Sequence, residues 1–230
     1  GNMANAWWIM SSLESTAGHR DARPNFLPSQ VERTFPGSIM VNKYARRFVN
    51  ESLNHNALGY VLHNFDATAH ELRNLPYWLI SDRRFLSKYR VFTSRPGDPV
   101  PPWATKGDTV EELGHNLGLD GAQLAATVAR FNADVAKGHD DEFGRGDNTY
   151  DNFWGDQTLE PPMCTLGAID QAPYYAIKME AGANGTAPTA MPVCSTGTTG
   201  RSPACTCAAT RWPRSPVAGT AVPVAPSVRA

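Results

Sequence analysis

"PGSIMVNKYARRFVNES", residues 36–52, is the stretch on which the reading of the fold turns. Pro36-Gly37 is a turn signal, and "SIMVN" behind it is a short apolar run of strand type. Beyond Lys43–Ala45, Arg46, Phe48 and Asn50 alternate against Arg47 and Val49. The alternation predicts a second short strand, joined to the first by a turn at Lys43–Ala45. Arg46, Arg47, Glu51 and His55 then gather charge and a titratable ring on the connection into the next segment. Active-site groups are often mounted in such places. On spacing alone, a surface turn with an Arg–Glu pair is the favoured reading.

Upstream, residues 1–36 read as a helix-like start carrying Trp7–Trp8, then a polar, Pro-punctuated loop. Downstream, "YWLISD" (77–82) is a strand candidate entered through Pro76. Residues 108–138 are the clearest helical region. Asp108 with Glu111, and Asp120 with Gln123, have capping-box spacing. Leu124, Val128, Phe131 and Val135 fall at i, i+4, i+7 and i+11, one apolar stripe predicted to be buried. Gly138 is placed to stop that helix. "GHDDEFGRGDNTYDNFWGD" (138–156) reads as a long polar and aromatic loop, with Asp140, Asp141 and Glu142 on a solvated face. "PYYAIKME" (173–180) reads as a strand. From about Ala187 onward no period of 2 or 3.6 survives.

Bulk composition narrows the function classes. The chain has 230 residues, 41% hydrophobic and 19% charged, with a formal net charge of −1. That balance gives no electrostatic reason to expect nucleic acid or an anionic membrane as partner. No apolar run has membrane-spanning length, and "GNMANAWWIM" lacks the build of a signal peptide. The four cysteines form no disulfide framework or zinc-ligand pattern, and their usage fits a reducing cytoplasm. No metal site is expected. The Gly-x-Gly of Gly144–Gly146 has no preceding strand and no third glycine, so it carries no dinucleotide signal. The first residue, Gly1, in a segment already patterned, reads as a truncated start.

The opening stretch closely resembles the "PGSIMVN…G-R-R-F-V-N-E" segment of the FAD-dependent 3-ketosteroid Δ1-dehydrogenases and the wider fumarate reductase-like flavoproteins. "NALGYVLHNFDATAHELRNLPYWLISDRRFLSKY" is similar to the family's following segment. "ATVARFNADVAKGHDDEFGRGDNTYDNFWGD" is similar to its helix and "D-x-x-F-G-R-G" loop, and "LGAIDQAPYYAIKM" to its return strand. The likeness runs from about Trp7 to Gly185. It implies an α/β fold: a mixed α+β substrate domain of a two-domain flavoprotein, with only remnants of the Rossmann-like FAD domain. Residues 1–36 would be such a remnant, 37–172 the substrate (capping) domain, 173–186 the return strand and 187–230 an irregular tail. Catalysis would remove two hydrogens next to a ketone on an apolar cyclic, steroid-like substrate. The resemblance places His55 where the steroid enzymes have Tyr and the fumarate reductases Arg. His55 is thus the candidate catalytic residue, with Arg47 and Glu51 in support. FAD is the implied cofactor, but no residue is assigned to hold it.

Two departures set further expectations. The glycine fingerprint that would hold the pyrophosphate is missing. The family's C-terminal flavin-wrapping motifs are also missing, and "TRWPRSPVAGTAVPVAP" (210–226) stands in their place. Read in a shifted frame, permitted codon choices from Thr189 onward restore a stretch leading to those motifs. The tail is therefore expected to be a frameshift product, with the frame lost near residues 186–189. As it stands the chain is expected to be an inactive fragment that does not retain FAD. The alternatives are a non-catalytic domain for an apolar ligand and a pseudogene product.

Overall fold

The computed structural model describes residues 8–12, 28–29 and 32–183. The tail expectation for 187–230 lies outside them, as does the loop read between residues 13 and 27. Five strands line up in the order β2-β1-β8-β6-β3: β1 (Trp8–Ser11), β2 (Pro28–Ser29), β3 (Ser38–Asn42), β6 (Tyr77–Asp82) and β8 (Tyr174–Ala183). β7 (Ala104–Gly107) joins through β8, and β4 (Phe65–Asp66) pairs separately with β5 (Glu71–Leu72). All these pairings are antiparallel. With the helices below they make the expected mixed α/β architecture.

β3 and β6 are buried along their whole length, which is why both read as apolar runs without alternation. Their register sets Met40 opposite Leu79 and Val41 opposite Trp78. β8 is the hub: Ile177 faces Leu79 on β6 and Ala104 on β7, while Glu180–Ala183 pair with β1. Two apolar clusters build on the sheet. Met40, Leu79, Ile177 and Met179 belong to one, Ile39, Val41, Ile80 and Ala176 to the other.

The described residues also form five α-helices: α1 (His55–Leu62), α2 (Arg83–Lys88), α3 (Val110–Asn116), α4 (Gly121–Lys137) and α5 (Thr149–Phe153). α4 follows its sequence signals closely. Asp120 caps it, accepting from Gln123 N at 3.0 Å, and Gly138 ends it in the left-handed region at φ 75. Leu124, Val128 and Phe131 are buried, each contributing about 1.5–3 kcal/mol of transfer free energy. Val135 is only half-buried, because the stripe drifts off the core face and Asp134 takes the buried position there. Among the described residues no helix is long and apolar enough to cross a membrane.

Four local expectations are corrected. The segment at Trp8 is a strand, held by β8 and covered by α1. A Cβ on Gly59 would lie 2.2 Å from the Trp8 ring, so the bare glycine lets the indole rest on the helix. "RRFVN" forms a single bridge, Val41 to Arg47, instead of a strand. Asn42 Oδ1 accepts from Tyr44 N, Ala45 turns at φ 56 and Asn50 Oδ1 accepts from Ser52 N, so successive turns replace a ladder. The first capping box is shifted by one residue. Thr109 caps α3 by accepting from Glu112 N, while Glu112 Oε2 accepts from Asp108 N. The 138–156 stretch contains α5, and its Asp140 is 1% exposed instead of solvated.

Candidate functional site

The turns after β3 drive Arg47 into the interior, where its guanidinium meets two carboxylates. Arg47 Nε and NH2 donate to Glu51 Oε1 and Oε2 at 3.0 and 2.8 Å, one turn along the chain. NH1 and NH2 donate to Asp140 Oδ1 and Oδ2, both at 2.8 Å. Phe131 and Phe143 flank the guanidinium with ring centroids at 4.8 and 5.0 Å. Such fork-to-fork pairing is what makes an Arg buriable.

Glu51 is fully buried and saturated. Besides Arg47 it accepts from Met40 N at 3.0 Å and from Arg145 NH1 at 3.2 Å. Desolvation pushes its pKa up, but the charges of Arg47 and then Arg145 outweigh this and hold it below the usual carboxylate range. Asp140 shows the same contest, with desolvation overcome by its bonds to Arg47. Arg145 projects from the loop between two left-handed glycines, Gly144 (φ 64) and Gly146 (φ 91). Its NH1 donates to Ser38 O at 2.7 Å and its NH2 to Phe35 O at 2.9 Å, tying the 138–146 loop to the start of β3. The resulting knot fixes the backbone of residues 47–55.

His55 opens α1, just after the Asn54 cap. It touches neither Arg47 nor Glu51 in any described hydrogen bond or ion pair. Arg33 is the connection: its NH1 donates to the Glu51 carbonyl, and its NH2 lies 3.4 Å from His55 Nδ1. A guanidinium only donates, so this contact makes Nδ1 the acceptor and leaves the proton on Nε2. Burial first, and the Arg33 charge second, lower the imidazole pKa to about 4. At neutral pH the ring is an uncharged donor. Burial lowers Arg33 as well, to about 10, so it stays cationic.

A cavity of about 130 Å³ lies here, lined by Arg33, Thr34, Ser52, His55, Tyr150 and Trp154. Two buried polar atoms on its lining residues, Arg33 Nε and Ser52 Oγ, have no hydrogen-bond partner among the described residues. A larger open groove of about 780 Å³ runs along Lys43–Phe48. Its Lys43 already pairs with Glu71 at 2.5 Å, and Arg46 donates to Gln123 at 3.1 Å. The larger groove's two cations are thus already paired or hydrogen-bonded.

Sequence reasoning missed Arg33, Ser52, Asp140 and Arg145. The last two had a signal in the "D-x-x-F-G-R-G" loop: an Arg set between glycines that permit a sharp reversal. Arg33 and Ser52 had none.

Every described α-helix starts on a side-chain cap: Asn54, Asp82, Thr109, Asp120 and Asn148. Two of the caps, Asp82 and Asp120, are carboxylates, which disfavour an anion at those two helix starts. Neither of these two starts therefore suits the pyrophosphate of FAD.

The family described as "FAD binding domain" matches residues 2–188. 4-Oxocyclohexanecarboxylate 2-dehydrogenase of Sinomonas cyclohexanicum is 40% identical over 181 residues, covering 79% of this chain and 31% of that protein. 3-Oxosteroid 1-dehydrogenase of Mycobacterium tuberculosis H37Rv is 36% identical over 197 residues, covering 80% and 32%. Among solved structures, 3-ketosteroid Δ1-dehydrogenase from Sterolibacterium denitrificans, in complex with 1,4-androstadiene-3,17-dione, overlays with a TM-score of 0.66. It is 29% identical and covers 77% of this chain and 33% of that one. The chain spans about a third of the length of these relatives.

Proposed function

The chain belongs to the FAD-binding domain family, whose cofactor is FAD, and on that premise we propose that it is the substrate-facing part of an oxidoreductase. The reaction would take two hydrogens from adjacent ring carbons beside a ketone. Residues 37–172 would form the substrate domain, flanked by remnants of the FAD domain at 1–36 and 173–186. Residues 187–230 would be an out-of-frame tail.

The observation that carries this reading is the neutral imidazole held by Arg33 beside a cavity that Tyr150 and Trp154 also line. When bound, the flavin supplies the two-electron acceptor. In this chain, Nε2–H of His55 would donate to the ketone oxygen and so acidify the neighbouring C–H. Arg33 would keep the ring in that tautomer. Arg47 and Glu51 would act as positioning residues, fixing the loop that carries His55. The relatives' names suggest two substrate classes: 3-oxosteroids and oxocyclohexane carboxylates.

The test uses a full-length, flavin-loaded protein carrying this segment. Adding a ring ketone without oxygen should bleach the flavin band, and His55→Ala should slow the bleaching far more than it weakens substrate binding. His55→Tyr should raise the rate on a 3-ketosteroid. A flavin band unmoved by both substrate classes would overturn the proposal.

A further inference from the structure

We propose that Tyr150, on α5, and Trp154, its C-cap, are the specificity-determining residues of the site. Their exposed rings form an apolar rim against which the ring system of a ketone lies once its oxygen is at His55. The proposal rests on the oxidoreductase reading above for the place of that oxygen, and adds the surface that selects for the ring.

Burial divides the lining of the cavity. Arg33, Thr34 and Ser52 are each at most 2% exposed and so form its inner part. His55 is half-buried. Tyr150 and Trp154 are 45% and 41% exposed and so stand at the mouth. At about 130 Å³ the cavity is well below the ~300–1,000 Å³ of pockets that engulf drug-sized ligands. It receives a carbonyl and part of a ring. A fused second ring extends past the mouth, where aromatic surface is what it meets.

The rim continues into a patch. Trp154 meets Tyr150 edge to face with centroids 6.4 Å apart, and the exposed Phe153 in the same way at 5.2 Å. Single exposed apolar side chains are ordinary, whereas a contiguous set marks a binding surface. The continuity with the His55 cavity, through two shared lining residues, assigns this one to the ligand of that cavity.

The backbone beneath the rings is tied to the segments that hold His55. Asp151 is buried, and its Oδ2 accepts from Asn50 Nδ2 at 2.8 Å and from Gly146 N at 3.1 Å. Trp154 O accepts from Thr34 Oγ1 at 2.6 Å. Asn50 lies in the loop that leads to His55, and Thr34 adjoins the Arg33 that contacts it. Rim and imidazole thus share one frame, and a surface already ordered loses little freedom on binding. Apolar burial and dispersion both grow with the area covered. Selection at the rim is therefore by ring area.

The test needs no flavin. Cyclohexanone and 2-decalone are titrated into the 230-residue chain and followed by the indole N–H resonances, with that of Trp154 assigned from Trp154→Phe. 2-Decalone should bind saturably, about tenfold tighter than cyclohexanone, and shift the Trp154 resonance. Trp154→Ala should remove most of that difference, Trp154→Phe should keep most of it, and Tyr150→Ala should reduce it severalfold. Phe65→Ala, at an exposed ring on β4, should leave both affinities unchanged. Circular dichroism reports the fold of each variant, and the wild-type resonances carry the test even if one does not fold. Equal affinity for the two ketones, no saturable binding of either, or binding that leaves the Trp154 indole unmoved would overturn the proposal. So would a tenfold difference that survives Trp154→Ala. Self-association abolished by Trp154→Ala, with no ketone bound, would also overturn it and make the patch an interface between copies. Flavin bleaching is a separate readout: its failure would sink the oxidoreductase reading and leave the ring-area preference intact.

Discussion

Arg33 NH2 lies 3.4 Å from His55 Nδ1, so a fixed cation faces the imidazole across 22 positions of sequence. This relationship makes the site pH-sensitive in a predictable direction.

The His55 ring should titrate near pH 4 in the native protein, against its ordinary 6.5. Because the folded-state pKa is depressed, the unfolded chain binds the proton first as pH falls. The associated stability is present above pH 6.5 and is lost as pH falls through about 4. Arg33→Gln should raise the ring pKa only part of the way back, because burial is the larger cause. Imidazole proton shifts read both quantities. A native value at 6.5 would refute the buried contact.

Glu51 should be the most sensitive position of the ionic knot. Glu51→Gln leaves Arg47 and Arg145 facing an uncharged amide, and breaking a buried pair costs about 3–5 kcal/mol. Asp140→Asn should cost less, since Glu51 still binds Arg47 through two bonds. Urea unfolding of the two variants gives the order. Both carboxylates are held below their ordinary range, so their stabilisation persists at neutral pH and is lost only as pH falls through those depressed values.

Gly146→Ala and Gly138→Ala form a matched pair. Both glycines have positive φ, 91 and 75. At Gly146 a Cβ would also lie 2.9 Å from Thr165 Oγ1 and 3.0 Å from Pro162 Cβ; at Gly138 the nearest atom is Met163 Cε at 3.8 Å. Gly138→Ala should cost about 1 kcal/mol, the strain of the left-handed region alone. Gly146→Ala should cost up to about 3 kcal/mol and loosen Arg145 with it. Equal melting points for the two variants would contradict this.

The purified chain should carry no stoichiometric FAD, since it spans only about a third of the length of its relatives. Removing residues 187–230 should leave its thermal midpoint unchanged, because β8 ends at Ala183 and the core of the described residues is complete by then. A yellow protein after desalting, or a lower midpoint after truncation, would each contradict one half of this expectation.

Local order was legible in the sequence wherever neighbours along the chain decide it. Asp120, the Leu124–Phe131 stripe and Gly138 define α4 because cap, face and stop lie within one helix. The runs 38–42 and 77–82 were readable as strands because burial on both faces keeps their centres apolar, and 173–180 because of its aromatic and β-branched content. Trp8 was misread, since its strand exists only through pairing with β8 more than 160 positions away. Arg47 looked like a surface charge, because an arginine is buried only when carboxylates arrive to meet it. Glu51 is four residues off, but Asp140 is 93 residues away and Arg145 reaches Arg33 O across 112. Sequence alone thus determined α3 and α4, the strands β3, β6 and β8, and the family. Tertiary structure decided which charges are desolvated and which acid each meets, because that balance depends on partners the chain brings together only when folded.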